Sequence, residues 1–312
     1  MKPAFASPCF IVNPRSSRPD TMRRIDAVRE EACRRFPAAT WTATSSAGDG
    51  ATLARAAARG GADLVVAVGG DGTINEVVNG LMDAEVSCDA RPALGILPAG
   101  TGSDFVRTLR VPHGLRAALE VITAGRAARI DLGEIVCAPL DGGSPGRTRR
   151  YFVNMAGCGS TARVAERFNR RKVRGTLGYA VATALTALDY RFPQVELAVD
   201  GHAAESINLN LLFICNGEYC GGGMRVGKGV LLDDGMFQVV EVAGVGRLGS
   251  LLQWPRLYTG SVGMVRGARV RAAREIHLAS KEDVLVDCDG EVCGRLPATY
   301  RVVAGALNVC VP

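Results

Sequence analysis

The 312-residue chain is poor in histidine, tryptophan and aromatics generally, with three histidines, two tryptophans and 5% aromatic residues. His113, His202 and His277 lie far apart without motif context, and there is no G-x-S-x-G elbow, which removes support for histidine-dependent hydrolysis. No apolar run approaches the ~18 residues a membrane-spanning helix needs. The opening MKPAFASPCFIVNPRSS breaks its apolar run after about five residues, so a secretory leader is not expected. Ten cysteines are present but dispersed, in a chain long enough to need no staples, and they read as reduced thiols of a cytosolic protein. Two C-x4-C pairs, Cys215 with Cys220 and Cys288 with Cys293, depart from zinc-ribbon spacing and read as small buried hydrophobes. Internal repeats and low-complexity tracts are also lacking.

What is there fits an ordinary globular protein, 47% apolar and 22% charged, of a length that favours two domains over one. A net charge of +6 permits weak attraction to anionic surfaces without choosing between phospholipid and nucleic acid. In the first part of the chain, apolar strands (CFIVNP, WTATSS, ADLVVAVGG, PALGILPAG) alternate with helical segments (PDTMRRIDAVREEACRRF, GDGATLARAAARGG, INEVVNGLMD). That alternation predicts an open α/β domain with a parallel sheet over residues 1–132. Beyond RIDLGEI, short strand candidates separated by glycine turns predict a mainly antiparallel β domain over 133–296, with helical interludes near 161–190 and 247–263. The terminal ALNVCVP is expected to return to the first domain, within 297–312.

Parallel α/β sheets bind ligands beyond the carboxyl ends of their strands, and GGDGT sits at such an end. Gly69, Gly70 and Gly72 would let main-chain amides approach a phosphate, while Thr73 and the start of the following helix add donors. Asp71 cannot bind phosphate directly; it can act through Mg²⁺ or shape the loop. A second strand end, LGILPAGTGSDF, repeats the design with Gly100, Thr101, Gly102 and Asp104, and the pair points to a nucleoside triphosphate with metal. Taken alone, the later DGE is a β-hairpin corner with Asp289-Gly290 at its tip.

NPRS, GGDGTINEVVNGL, LGILPAGTGSDFVR, RIDLGEI, FVNMAGCGSTARV, NGEYCGGGM, LLDDGMFQVVEV and VDCDGEV, in that order over nearly the whole chain, resemble the diacylglycerol kinase catalytic-domain family, which includes bacterial lipid kinases and sphingosine kinases. The resemblance implies an N-terminal α/β domain related to phosphofructokinase and NAD kinase folds, a C-terminal antiparallel β-sandwich, and ATP in the cleft. It implies nucleotide contacts at Asn13, Thr44, Gly69, Gly70, Asp71, Gly72, Thr73, Glu76, Gly100 and Thr101. It makes Glu291 the catalytic base and Asp71, Asp104 and Asp131 a Mg²⁺-linked acidic network. It also implies a structural metal held by the carbonyls of Leu231 and Met236 and the carboxylate of Asp234.

Several positions depart from the family. Ser103 stands where asparagine is usual, Ser160 and Thr161 where an aspartate is frequent, and GKG where a proline precedes LLDDG. GGMRVGKG, residues 222–229, falls short of a P-loop because Gly229 replaces the hydroxyl residue that holds Mg²⁺. GCGSTA fits a dinucleotide fingerprint but lacks the acidic residue about 20 positions on.

RFNRRKVRG, residues 167–175, carries five positive charges ahead of the apolar TLGYAVATALTALDY, a pattern for a membrane surface or for a solvated loop beside a core helix. Its single aromatic, Phe168, argues against nucleic acid. The expectation is a cytoplasmic, peripherally membrane-associated lipid kinase using ATP and Mg²⁺ on a lipid hydroxyl, with a homodimer allowed but not specified. The rival expectations are an NAD kinase and a catalytically silent nucleotide- or lipid-binding regulator.

Overall fold

The computed structural model describes residues 4–16, 19–100, 102–141, 146–170, 175–246, 256 and 259–312. The chain divides into two compact units, Met1–Ile130 with Gly305–Pro312, and Asp131–Ala304. Residues 297–304 therefore stay with the second unit, and the return to the first begins at Gly305.

In the first unit, strands β1 (Pro8–Val12), β2 (Thr40–Ala43), β3 (Leu64–Gly69) and β4 (Ala93–Pro98) alternate with helices α1 (Pro19–Arg35), α2 (Asp49–Arg59), α3 (Asp71–Met82), α4 (Asp104–Thr108) and α5 (Leu115–Ala124). All the strand pairings are parallel, in the order β2-β1-β3-β4, and the end of β14 (Glu291–Cys310) adds beside β4 through Val309 and Leu94. Every residue of β3 and β4 is buried, the pattern of strands covered by helices on both faces. Helix α3 buries Ile74, Val77, Val78 and Leu81, spaced i, i+3, i+4 and i+7. Each such side chain contributes roughly 1.5–3 kcal/mol of apolar burial. The edge strand β2 is mostly exposed, yet its Trp41 stacks on Phe10 at 4.2 Å.

Strand β5 (Ala127–Ala138) leads into the second unit, which contains β6 (Thr148–Phe152), β7 (Met155–Gly159), α6 (Ser160–Asn169), α7 (Gly175–Asp189), β8 (Gln194–Val199), β9 (Glu205–Cys215), β10 (Phe237–Ala243), β11 (Ala268–Ala273), β12 (Glu275–Ala279), β13 (Leu285–Cys288) and the start of β14. The antiparallel pairings close a ring, β7-β13-β14-β12-β8-β9 and back to β7, while β10 and β11 extend from β9. Two strands turn the corners: β9 pairs first with β8 and then with β7, and β14 first with β13 and then with β12. Phe152 and Phe237 stack at 5.6 Å in the core between the layers, with Leu197, Leu209, Ile276 and Tyr300. The second expected helical interlude, 247–263, falls largely outside the described residues. Among the described residues, no helix is long and apolar enough to cross a membrane.

Candidate active site

The order β2-β1-β3-β4 reverses between β1 and β3, and the crevice at the carboxyl ends of those two strands is where such sheets take ligands. Asn13 follows β1 and Thr73 opens α3 after β3; the Asn13 amide donates to Thr73 Oγ1 at 3.1 Å, across the switch point. Asn13 Oδ1 accepts the Arg15 N–H at 3.0 Å. Thr44, buried just after β2, donates its N–H to the Val12 carbonyl at 2.8 Å, extending the ladder to the same end of the sheet. Gly70 stands at the N-cap of α3, so the N-cap residue itself brings no side-chain bond to the first turn.

The glycines divide by task. A Cβ on Gly100 would overlap the Gly70 backbone, so these two loops touch through glycine. Gly69 is likewise tight against Thr73. Gly72 differs: it is exposed, its φ is not positive, and a Cβ there would meet nothing within 4 Å. Neither packing nor backbone strain requires glycine at 72, whereas the close approach of a ligand would.

Asp71 joins the two loops. Its Oδ2 accepts the Asp104 N–H at 3.1 Å and its Oδ1 the Phe105 N–H at 3.2 Å, and the Ser103 N–H adds a further bond. A Cβ on Gly102 would stand 2.6 Å from Asp71 Oδ2, which explains the glycine in the second loop. Burial raises the Asp71 carboxyl above its ordinary range, against those three N–H groups and the Arg107 charge. Of the two roles open to Asp71 in the sequence, the loop-shaping one is thus visible as hydrogen bonds. Ser103 has φ 57°, in the left-handed region where asparagine is the favoured non-glycine residue. That preference gives a backbone reason for the asparagine usual in the family.

Asp104 is buried at the start of α4 and pairs with Arg107 at 3.0 Å. Glu76 accepts the N–H groups of Gly48 and Gly50, both at 2.9 Å, so this carboxylate holds the start of α2, a helix with no cap from its own N-cap residue. Thr101 lies outside the described residues.

In the second unit the D-G-E segment forms the β13–β14 turn, where Cys288 pairs with Glu291 and Asp289 and Gly290 have φ 46° and 84°. Both central residues are left-handed, as in the tight hairpin turns favoured by Asp-Gly. Asp289 accepts the N–H groups of Val153, Asn154 and Met155, each at 3.0 Å. Glu291 is exposed and receives the Asn169 amide at 3.2 Å.

Asp287, on the same hairpin, was not singled out by its sequence. It is buried, and Thr161 Oγ1 lies 3.1 Å from its Oδ1 and 3.3 Å from the Cys158 carbonyl. One hydroxyl proton cannot serve both acceptors at once. Thr161 donates to the ionised carboxylate; when Asp287 is protonated, the carboxyl can donate to Thr161 instead and free the hydroxyl proton for Cys158. Burial pushes the Asp287 carboxyl up to about 7, with the Thr161 bond opposing and the charges of Asp289 and Glu291 adding.

Asp131 has a task within this unit: its N–H donates to the Leu232 carbonyl at 2.6 Å and its Oδ2 accepts the Gly235 N–H at 2.7 Å. It thereby anchors the loop of the expected structural metal, in which Leu231 is exposed and Asp234 Oδ1 accepts the Met236 N–H at 3.0 Å. The donors in that loop are all oxygen, which suits a hard cation such as Mg²⁺ or Ca²⁺. Among the described residues, no three His, Cys, Asp or Glu side chains gather as a metal cluster, and all ten cysteines are free thiols.

The basic run is less available than its composition implied. Arg167 pairs with Asp189 at 2.5 Å and Arg170 with Glu166 at 2.9 Å, while residues 171–174 lie outside the described residues. On α7, Val181, Leu185 and Leu188 are exposed at i, i+4 and i+7, one apolar stripe.

Comparison with known proteins agrees with this layout. The family model for the diacylglycerol kinase catalytic domain matches residues 7–135, and that for the YegS C-terminal NAD kinase beta sandwich-like domain matches residues 154–311. The chain is 28% identical over 281 residues to a diacylglycerol kinase of Staphylococcus aureus, covering 86% of this chain and 81% of that protein. A crystal structure of a diacylglycerol kinase from Bacillus anthracis superposes with a TM-score of 0.78 at 25% identity, over 99% of this chain and 98% of the other. Yeast NADH kinase complexed with NADH shares the fold at a TM-score of 0.57 and 10% identity, over 99% of this chain and 87% of the other. The chain belongs to the diacylglycerol kinase catalytic-domain family of lipid kinases.

Proposed function

We propose that this protein transfers the γ-phosphoryl group of ATP to the hydroxyl of a membrane lipid, diacylglycerol being the first acceptor to test. The observation that carries the nucleotide half is Gly72: open space where a side chain would fit, on the first turn of α3, at the switch point of a parallel sheet. First-turn N–H groups there suit the phosphates, with Thr73 on the same turn and Asn13 and Thr44 at the surrounding strand ends. Glu291 takes the proton of the lipid hydroxyl as its oxygen bonds to the γ-phosphorus, and the bond from that phosphorus to the β–γ bridging oxygen breaks, leaving ADP. Asp289 keeps the turn that carries Glu291 folded.

Magnesium, when bound with the nucleotide, would neutralise phosphate charge during transfer, and Asp71 and Asp104 are the carboxylates of the first unit that would hold it. Leu231, Asp234 and Met236 would hold a separate structural cation through oxygen. The acceptor dictates a peripheral place at the cytoplasmic membrane surface, for which the α7 stripe supplies apolar contact.

The test is incubation with γ-labelled ATP, Mg²⁺ and dioleoylglycerol in mixed micelles, with NAD in a parallel tube. Label in phosphatidic acid supports the reading. Label in NAD, or none in any lipid across a fractionated extract, overturns it.

A further inference from the structure

Helix α6 is fixed to the D-G-E hairpin at both of its ends. At its start, Thr161 meets Asp287 of β13 at 3.1 Å; at its end, the Asn169 amide nitrogen meets the Gly290 carbonyl at 3.0 Å and Glu291 Oε2 at 3.2 Å. Between them Arg167 ties the helix to α7 through Asp189 and Thr186. The Asn169 orientation follows from its partners, since a carbonyl and a carboxylate both accept and only the NH₂ group can serve them together. With one hydrogen on the turn and the other on the base, this amide holds Glu291 relative to the backbone of its own turn.

We infer that Asn169 is a positioning residue for Glu291, and that α6 is the strut that sets the carboxylate's direction for the phosphoryl acceptor. This rests on Glu291 being the base. An exposed glutamate next to a glycine turn has several accessible rotamers, and ordering one beforehand removes that entropy cost from the reaction. Sequence reading places Asn169 within a basic run, where its neighbours' charges draw the attention; the two acceptors it serves lie more than a hundred residues further on.

The experiment compares wild type, Asn169→Ala, Asn169→Asp and Glu291→Gln with γ-labelled ATP and dioleoylglycerol micelles across pH, with melting temperatures measured alongside. Asn169→Ala should lower kcat about ten- to hundredfold through misdirection of the base, with the KM for ATP within about twofold of wild type. Asn169→Asp sets a like charge beside Glu291 and should move the acid limb of the kcat profile up by about one pH unit. Asn169→Ala with kcat within about twofold of wild type, or Asn169→Asp with an unmoved acid limb, would overturn the inference while leaving the kinase reading intact.

A second readout is independent of the acceptor. The Asn169 side-chain NH₂ signal, assigned by its loss in Asn169→Ala, should follow a carboxyl titration in wild type and not in Glu291→Gln. A signal that ignores pH in wild type contradicts the contact itself. Inactive wild type with a normal titration would instead indict the kinase reading.

Discussion

The two units use the same dipeptide in opposite settings. Asp71-Gly72 begins a helix after a parallel strand, and Asp289-Gly290 turns an antiparallel hairpin. In both, the aspartate is occupied with three main-chain N–H groups from a remote segment: residues 103–105 for Asp71 and residues 153–155 for Asp289. In both, a Cβ on the glycine would meet nothing within 4 Å. The positions proposed to meet the substrates are then the neighbours, Gly72 in one unit and Glu291 in the other. The acid of each motif builds the loop, and the residue one or two places on faces outward.

The comparison breaks first at Glu291. Glu291→Gln should cost on the order of 10²–10⁴ in kcat while ATP affinity stays unchanged, read by steady-state transfer and calorimetric ATP binding. No comparable single residue in the first unit should abolish turnover and spare nucleotide binding.

Next come the paired staples. An asparagine at either site can accept on one oxygen only and turns its NH₂ toward a main-chain donor, at a cost of about 1–3 kcal/mol. Asp71→Asn should weaken ATP binding along with turnover. Asp289→Asn should lower turnover and leave ATP binding alone. Equal loss of ATP affinity in both would erase the proposed division of labour.

Asp287 sharpens the contrast by pH. Its folded pKa, about 7, lies above the unfolded carboxyl value, so the native chain binds the additional proton across the interval from about 4 to 7. Stability contributed by this group therefore falls as pH rises through that window and is flat above it. Asp287→Asn, which keeps an NH₂ donor for Thr161, should remove that decline and raise stability above pH 7 by on the order of a few kcal/mol, checked by urea melts at pH 5 and pH 8. The smallest effect belongs to Gly72→Ala. Its melting temperature should hold, while the KM for ATP rises about tenfold, roughly the worth of one charge-assisted hydrogen bond.

Much of this was legible in the sequence because it is local. Strand runs such as LVVAVG and ALGILP, buried at every position, announce a two-sided parallel sheet, and Asp289-Gly290 announces its own hairpin. The order of the motifs carries the family. What remained hidden depends on partners distant in the chain. Glu76 also holds the start of α2, a task invisible in its own motif because the partners lie 26 and 28 residues away. Asp287 looked like one more acid in VDCDGEV until Thr161 and the buried hairpin were brought against it. Ser103 departs from the asparagine usual in the family, and only its φ of 57° shows that the preference is one of backbone conformation.

The most direct test of the account is single-turnover transfer from γ-labelled ATP to dioleoylglycerol by Glu291→Gln, with its ATP dissociation constant measured on the same preparation. The account predicts wild-type ATP affinity and a transfer rate at least about a hundredfold below wild type. Transfer near the wild-type rate at that same affinity would contradict it, and the proton of the acceptor would have to be taken elsewhere.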